Sequence, residues 1–293
     1  MKNKVALIFG SGGQDGFYLN SLLLEQGVVT INISRKNSDV KGNVGDPKFV
    51  EACIKQYQPD FIIHFAANST AHHSALFENH ETICTGTLNI LESARLYAPS
   101  SKIFLSGSAL QFRNEGLPIN ETTAFEAGSP YAVARIQSVY AARYYRNAFG
   151  LQVYVGYFFN HDSPLRSEKH VNQKIVKTAK RILHGSNEKL VLGNIEVQKE
   201  FNYAGDAVAA VWMLMNQQHI FEAVIGSGKA YPIRDWLAYC FENMGLNWQD
   251  VVVFEADFIP QYRILVSDPQ LIMKLGWQPR VDFYQLANMM INE

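Results

Sequence analysis

Five consecutive apolar residues, Val5-Ala6-Leu7-Ile8-Phe9, run straight into Gly10-Ser11-Gly12-Gly13-Gln14-Asp15-Gly16 and then Phe17-Tyr18-Leu19. A run this short and this uniformly apolar predicts a parallel-sheet strand covered on both faces rather than a buried helix. Glycine at 10, 13 and 16 lets the chain turn sharply and lets a ligand approach the backbone with no Cβ in the way. A helix that starts after the turn aims its free N–H groups and the positive end of its dipole back at it, which suits a pyrophosphate. The spacing is G-x-x-G-x-x-G, not the G-x-G-x-x-G of simple dehydrogenases. A plain tight loop is the competing reading of any glycine turn; a position between strand and helix favours the nucleotide.

Further apolar runs at Val28–Ile33, Phe61–Ala66, Ile103–Leu105 and Val153–Phe158 alternate with helical stretches at Asp15–Gln26, Pro47–Tyr57, about Phe77–Tyr97 and Pro130–Phe149. That rhythm predicts an α/β fold, a Rossmann-like doubly wound parallel sheet with right-handed crossovers, whose ligands bind outside the carboxyl ends of the strands. From about Asn160 the pattern loosens into short strands (Leu190–Leu192, Val251–Phe254), helices and polar loops. The expected division is a dinucleotide-binding sheet domain over residues 1–160 and a smaller substrate-binding lobe over residues 161–293, with some segments of the latter returning to the sheet.

Composition narrows the partners. A formal net charge of −1 over 293 residues offers no basic footprint for nucleic acid and no polybasic patch for a membrane. No apolar run approaches the roughly 18 residues of a membrane span, and Met1-Lys2-Asn3-Lys4 leads into a strand rather than a signal-peptide core. Cys53, Cys84 and Cys240 are odd in number and far apart, as expected of reduced, half-buried thiols in a cytoplasmic protein. The histidines show no metal-ligand spacing, and no metal is expected.

The end of the second strand reads Ser34-Arg35-Lys36-Asn37-Ser38, with no acid. An acid there bonds the ribose hydroxyls of NAD, whereas basic residues accommodate the extra phosphate of NADP, so NADP is expected over NAD. The alternative is a solvated basic turn. Asp46, ahead of Pro47, is placed to cap the next helix or to reach the adenine, and the two roles are compatible. Ser129-Pro130 form an N-cap and first-turn pair. Tyr131 and Arg135 then lie one turn apart on one helix face, where a permanent cation beside a phenol favours proton exchange. Ser108, just past the strand ending at Leu105, lies at the same sheet edge and is the candidate partner for the oxygen that Tyr131 protonates.

These residues resemble the extended short-chain dehydrogenase/reductase family, and within it most closely GDP-mannose 4,6-dehydratase and its relatives. The resemblance is carried by GSGGQDGFYL, HFAANS from His64, ETTAF, SPYAVAR around Tyr131, FFNHDSPLR from Phe158, LVLGN from Leu190 and LGWQP from Leu275. It implies that Gly10, Ser11, Gly13, Gln14, Asp15 and Gly16 wrap a pyrophosphate and that Arg35 and Lys36 hold a 2′-phosphate. Asp46 would lie by the adenine, Ala66, Ala67 and Asn68 along the middle of the cofactor, and His161 and Arg166 against it from the second lobe. Tyr131 would be the acid/base at the carbon-4 hydroxyl with Ser108 beside it. Asn160, Val171, Lys174 and Lys199 would line a nucleotide-sugar pocket, with Arg263 at the diphosphate. The family's pairing mode implies a homodimer or homotetramer, and Ala134, Tyr140, Ala141, Ala142, Tyr144 and Tyr145 of Pro130–Phe149 suit such a seam, with buried core packing explaining them about as well.

Two departures change the expected chemistry. Arg135 stands where the family has Lys, keeping the charge but not the shape. The segment SGSALQF puts Leu110 where the family's dehydratases have the Glu that shuttles protons as water leaves carbons 5 and 6. A leucine moves no proton. The sequence therefore predicts NADP-linked redox chemistry at carbon 4 of a GDP-linked hexose or related sugar, as a 4-keto reductase, dehydrogenase or epimerase. A genuine dehydratase drawing its base from Glu115 or Glu121, and a non-catalytic dinucleotide-binding subunit, are the alternatives.

Overall fold

Seven strands, all parallel, form one sheet in the order Glu222–Ile225, Gln152–Phe158, Lys102–Ser108, Phe61–His64, Val5–Phe9, Val29–Ser34, Val40–Lys41. The computed structural model describes residues 3–293. The first strand lies inside the sheet, between Val29–Ser34 and Phe61–His64. The chain thus winds toward one edge, returns, and winds toward the other. At such a reversal the crevice outside the strand ends is the natural ligand site, and here it is bordered by Phe9-Gly10 and by the segment after His64.

The strand Val5–Phe9 is apolar throughout because both of its faces are covered. Leu7 and Phe9 join Ile33, Ile62, Ile103 and Val153 in one layer, while Ala6 and Ile8 join Leu19, Ile63, Phe104 and Val211 in the other. The long helix Pro130–Phe149 is framed as its ends predict: the Ser129 hydroxyl accepts from the Ala132 N–H at 3.1 Å, and Gly150 closes it at φ 69°. The helix expected near Phe77–Tyr97 is instead interrupted. Leu76–Asn79 and Gly86–Tyr97 are joined by a π-helical turn, His80–Thr85, in which the Thr82 carbonyl is taken by His64 Nε2 at 3.1 Å.

The second lobe has its own core, built on Ile175, Val176, Phe201, Trp236, Phe241 and Phe283, and a three-stranded sheet of Ala230–Pro232, Gln198–Glu200 and Ile264–Leu265. The chain does not stay there after residue 160. The helix Ala204–Met215, the edge strand Glu222–Ile225 and the helix Gln270–Lys274 all pack onto the main sheet. The three thiols are unpaired and fully rather than half buried, because Cys53, Cys84 and Cys240 each sit in a separate apolar cluster. Among the described residues no helix is long and apolar enough to cross a membrane.

Candidate functional site

The glycines of the first turn do three different jobs. Gly10 has φ +91°, and a Cβ on it would fall 2.4 Å from the Ala66 nitrogen. At Gly16 a Cβ would meet Ser11 Cα at 2.4 Å and the Gly10 oxygen at 2.7 Å, so this glycine lets the first helix pack on its own turn. Gly13, the N-cap of the helix Gln14–Glu25, would bring a Cβ no closer than 3.6 Å to anything, so the fold itself does not require glycine there. We therefore expect Gly16→Ala to cost about 3 kcal/mol of stability through backbone overpacking, and Gly13→Ala to leave the melting temperature in place while weakening whatever binds the turn. Thermal denaturation and ligand titration of the two variants separate these outcomes.

Gly10, Gly12, Gly13, Gln14, Asp15 and Gly16 line one side of a cleft of about 240 Å3. Ser34, Arg35, Gly42, Asn43 and Val44 line its outer end, and Ala66, Ala67, Ser69, Thr82 and Arg166 the inner. Ser11 departs from expectation: its hydroxyl is sealed within the turn with no partner, and the residue does not line the cleft. The outer end differs from expectation at two residues. Asp46 is spent as the N-cap of Pro47–Tyr57, accepting from the Lys48 N–H at 2.9 Å, and lies outside the lining; Asn43 and Val44 occupy the place beside the cleft. Lys36 is exposed and likewise outside it, leaving Arg35 as the cation at the outer end. Arg35 pairs with Glu78 at 3.3 Å. The nearest acid in its own loop, Asp39, folds back onto the Asn32 N–H at 2.9 Å.

Tyr131 is buried to 8% exposure among Ile83, Cys84, Ala134, Ala67 and Leu110. Its hydroxyl bonds to no other described residue and is not among the sealed unpartnered atoms, but Tyr131 itself, like Arg135, lines neither this cleft nor the larger cavity beyond it. The Arg135 guanidinium lies 5.1 Å from the Tyr131 ring centroid, a cation–π arrangement. Its Nη1 donates to the Ser106 hydroxyl at 2.7 Å and to the Ser106 carbonyl. One guanidinium nitrogen of Arg135 thus anchors on Ser106 of the strand beside the phenol, while its Nε has no partner. The same guanidinium, together with burial, pushes His64 down to about 3, fixing it as a neutral ring. Ser108 lies at the end of the strand Lys102–Ser108, where its hydroxyl caps the next turn by accepting from the Leu110 N–H at 3.2 Å. It keeps its proton but lines neither cavity.

A second cavity, about 1630 Å3, continues from Asn68 and Ser69 into the other lobe. Leu110, Val171, Lys174, His170 and Lys199 line it, and its far wall is the loop Glu255–Tyr262, whose Phe258 ring lies directly on Gly193. Burial brings Lys199 down to about 8, against the pull of Asp162. Burial also takes His170 down to about 4, with Arg166 adding to the effect. Two residues expected in this pocket are elsewhere. The Asn160 carbonyl accepts from Asn202, tying it into the inter-lobe strand pair, and Arg263 is exposed beyond the cavity, with its backbone paired to Gln198. His161 also departs from expectation: it does not line the cleft, since Asp15 and the Phe159 carbonyl take both of its ring nitrogens.

Neither acid proposed as a substitute base reaches the cavity. Glu115 pairs with Arg113 at 3.1 Å in solvent, and Glu121 accepts from the Val224 N–H at 2.8 Å. One residue carries weight that spacing did not reveal. Glu200, fully buried, accepts from Ser227, Gly228, Asn202 and Ser267, including the Ser267 N–H at 2.6 Å, and so fixes the strand that presents Lys199. Its only signal was an acid beside Lys199 in the Lys199-Glu200-Phe201 segment.

The family model described as GDP-mannose 4,6 dehydratase matches residues 7–290. GDP-mannose 4,6 dehydratase 1 of Arabidopsis thaliana is 30% identical over 324 aligned residues, spanning 99% of this chain and 89% of its own. Among solved structures, RMD from Pseudomonas aeruginosa in complex with NADPH superposes with a TM-score of 0.87 at 19% identity, over 99% of this chain and 98% of that one. The dTDP-glucose 4,6-dehydratase from Bacillus anthracis in complex with NAD does so at 0.86 and 18%, over 99% and 96%. At these identities the structural likeness speaks for the fold.

Proposed function

This chain belongs to the GDP-mannose 4,6-dehydratase family, and we propose that it is an NADP-dependent nucleotide-sugar oxidoreductase that works at carbon 4 of a GDP-linked hexose or related sugar without eliminating water. The observation that carries this reading is Leu110 between the buried phenol of Tyr131 and the large cavity, with Glu115 and Glu121 both committed elsewhere. Elimination needs a group that takes a proton from carbon 5 and gives one to the departing hydroxyl. That help is worth roughly 10²–10⁴-fold, and a leucine supplies none of it.

The residues of the smaller cleft fit a dinucleotide. The open side of Gly13 and the N-terminus of Gln14–Glu25 suit its pyrophosphate, with Ala66 and Ala67 beyond. When bound, the nicotinamide gives or takes the hydride at carbon 4. Tyr131 exchanges the proton of the carbon-4 oxygen, Arg135 steadies its ring from below, and Ser108 offers its hydroxyl at the same strand end. Lys174 and Lys199 supply positive charge for the sugar-linked diphosphate.

NADP in preference to NAD rests on Arg35 at the outer end and on Asp39 being turned away. Arg35→Ala is expected to weaken NADPH by about tenfold or more, the loss of one charge-assisted contact, and to leave NADH within about twofold of its starting affinity, which fluorescence titration measures. We also propose that the chain pairs with itself through the exposed face of Gly86–Tyr97 and Pro130–Phe149. Leu88, Leu96, Tyr140 and Tyr144 are outward there, whereas Ala134 and Ala142 of the expected seam are spent in the chain's own core. Sedimentation velocity at micromolar concentration decides between monomer and dimer. The substrate class is tested by melting-temperature shifts in the presence of NADPH: GDP-linked sugars are expected to raise it more than UDP- or dTDP-linked ones, and the reverse order removes the GDP assignment.

A further inference from the structure

The two most distinctive motifs of the chain, Gln14-Asp15-Gly16 and Asn160-His161-Asp162-Ser163, lie almost 150 residues apart and are bonded to each other. Gln14 Nε2 donates to the His161 carbonyl at 3.1 Å, the Ser163 hydroxyl donates to Gln14 Oε1 at 2.9 Å, and His161 Nε2 meets Asp15 Oδ1 at 2.9 Å. His161 Nδ1 faces the Phe159 carbonyl at 2.8 Å. A carbonyl and a carboxylate only accept, so both ring nitrogens must donate, and the ring is an imidazolium while this geometry holds.

Asp15 lines the small cleft in the first turn of the helix whose N-terminus faces the ligand. An ionised carboxylate there repels a diphosphate unless a cation is set against it. We propose that His161 is a positioning residue for the dinucleotide: as an imidazolium it holds and neutralises Asp15, and with Gln14 and Ser163 it locks the pyrophosphate turn to the segment that carries Arg166 into the same cleft. This inference rests on the reading of that cleft as a dinucleotide site.

The charges around the ring agree with it. Burial works against the charge on His161, but Asp15 outweighs burial and raises the ring above the ordinary histidine range, with Arg166 opposing. Asp15, for its part, is held below the ordinary carboxylate range, burial being overcome by His161 and then Arg166. Asp162 and His170 stand next along the same segment, Asp162 and Arg166 being 3.2 Å apart, while Tyr203 adjoins on the paired strand and Lys199 lies beyond Asp162.

The test is the Kd of NADPH across pH 6 to 10 for the unmodified protein, His161→Gln, Asp15→Asn and the double variant. His161→Gln leaves Asp15 ionised and unpaired, and should weaken NADPH roughly tenfold at neutral pH through that uncompensated charge. Adding Asp15→Asn should restore most of the loss, which a merely structural defect would not allow. The unmodified protein should bind less tightly as pH rises through the raised histidine range, and both single variants should lose that slope. If His161→Gln fails to fold, Asp15→Asn alone decides by its slope. A slope retained in Asp15→Asn, no rescue in the double variant, or unchanged affinity in His161→Gln overturns the inference. An unmodified protein that binds neither NADPH nor NADH overturns the cofactor reading itself.

Discussion

Tyr131→Phe is expected to lower turnover roughly 10²- to 10⁴-fold, the range of general acid–base assistance, while the Kd of NADPH stays within about twofold. The substitution removes one oxygen and nothing else. The ring of Tyr131 is packed among Ile83, Cys84 and Ala134 and lies over Arg135, and phenylalanine keeps those contacts. Its hydroxyl makes no bond within the described chain that would be lost with it. An unchanged melting temperature with turnover gone places the effect in the chemistry. Turnover within threefold or so of the unmodified protein would show that another group handles the carbon-4 proton, and would return the binding-subunit reading to first place.

Glu222→Ala is expected to have a large effect on stability, about 2–3 kcal/mol, below the cost of breaking a fully buried ion pair because Glu222 is half-buried and Arg143 partly exposed to solvent. The Glu222 carboxylate accepts from Arg143 Nη2 at 2.6 Å, from Arg146 Nη2 at 2.8 Å and from the Tyr157 hydroxyl at 2.6 Å. These bonds join the helix Pro130–Phe149 to the edge strand Glu222–Ile225. Alanine leaves two guanidinium groups facing each other. Burial by itself would raise this carboxyl, but the bonds from Arg143, Tyr157 and Arg146 outweigh it and hold it near 2, against 4.5 for a free glutamate. A folded-state value below the unfolded one stabilises the protein above the unfolded value. The contribution is therefore complete above about pH 4.5 and fades as pH falls toward 2. Thermal melts should show Glu222→Ala lowered by on the order of 10 °C at pH 7, and the gap to the unmodified protein should narrow on acidification. An equal gap at pH 7 and pH 3 would assign the loss to packing alone.

What could be read from the sequence follows from how locally each feature is determined. Val5–Phe9 and its glycine turn are legible because a strand covered on both faces must be apolar at every position, and because a ligand-facing turn must be thin. The separate tasks of Gly10, Gly13 and Gly16 are not legible, since they depend on Ala66 and Ser11 arriving from elsewhere in the fold. Ser129-Pro130 frames its helix with nearest neighbours alone, and reads correctly. The helix near Phe77–Tyr97 reads as continuous because its interruption comes from His64, on a strand far back in the chain, drawing off the Thr82 carbonyl. The edge strand Glu222–Ile225 is short and opens on an acid, which Arg143, Arg146 and Tyr157 explain.

The site divides along the same line. Tyr131 and Arg135 are singled out by their spacing on one helix and Leu110 by the family resemblance of its segment, and the fold brings Leu110 against Tyr131. Asp46 caps its helix as its place before Pro47 suggests, but it lies outside the cleft lining, and so does Lys36; which residues border a cleft depends on parts of the chain that spacing does not bring together. His161 is found as a residue but not in its setting, since its partner Asp15 stands at the other end of the sheet domain in sequence.

The central claim is redox chemistry at carbon 4 with no loss of water, and the mass of the product tests it most directly. Purified protein is incubated with GDP-mannose and NADP, and the recovered nucleotide sugar is weighed by mass spectrometry. The account predicts no species lighter by one water, with any turnover appearing only as oxidation or inversion at carbon 4. Steady accumulation of the 4-keto-6-deoxy product would contradict it and would make this chain a dehydratase despite Leu110.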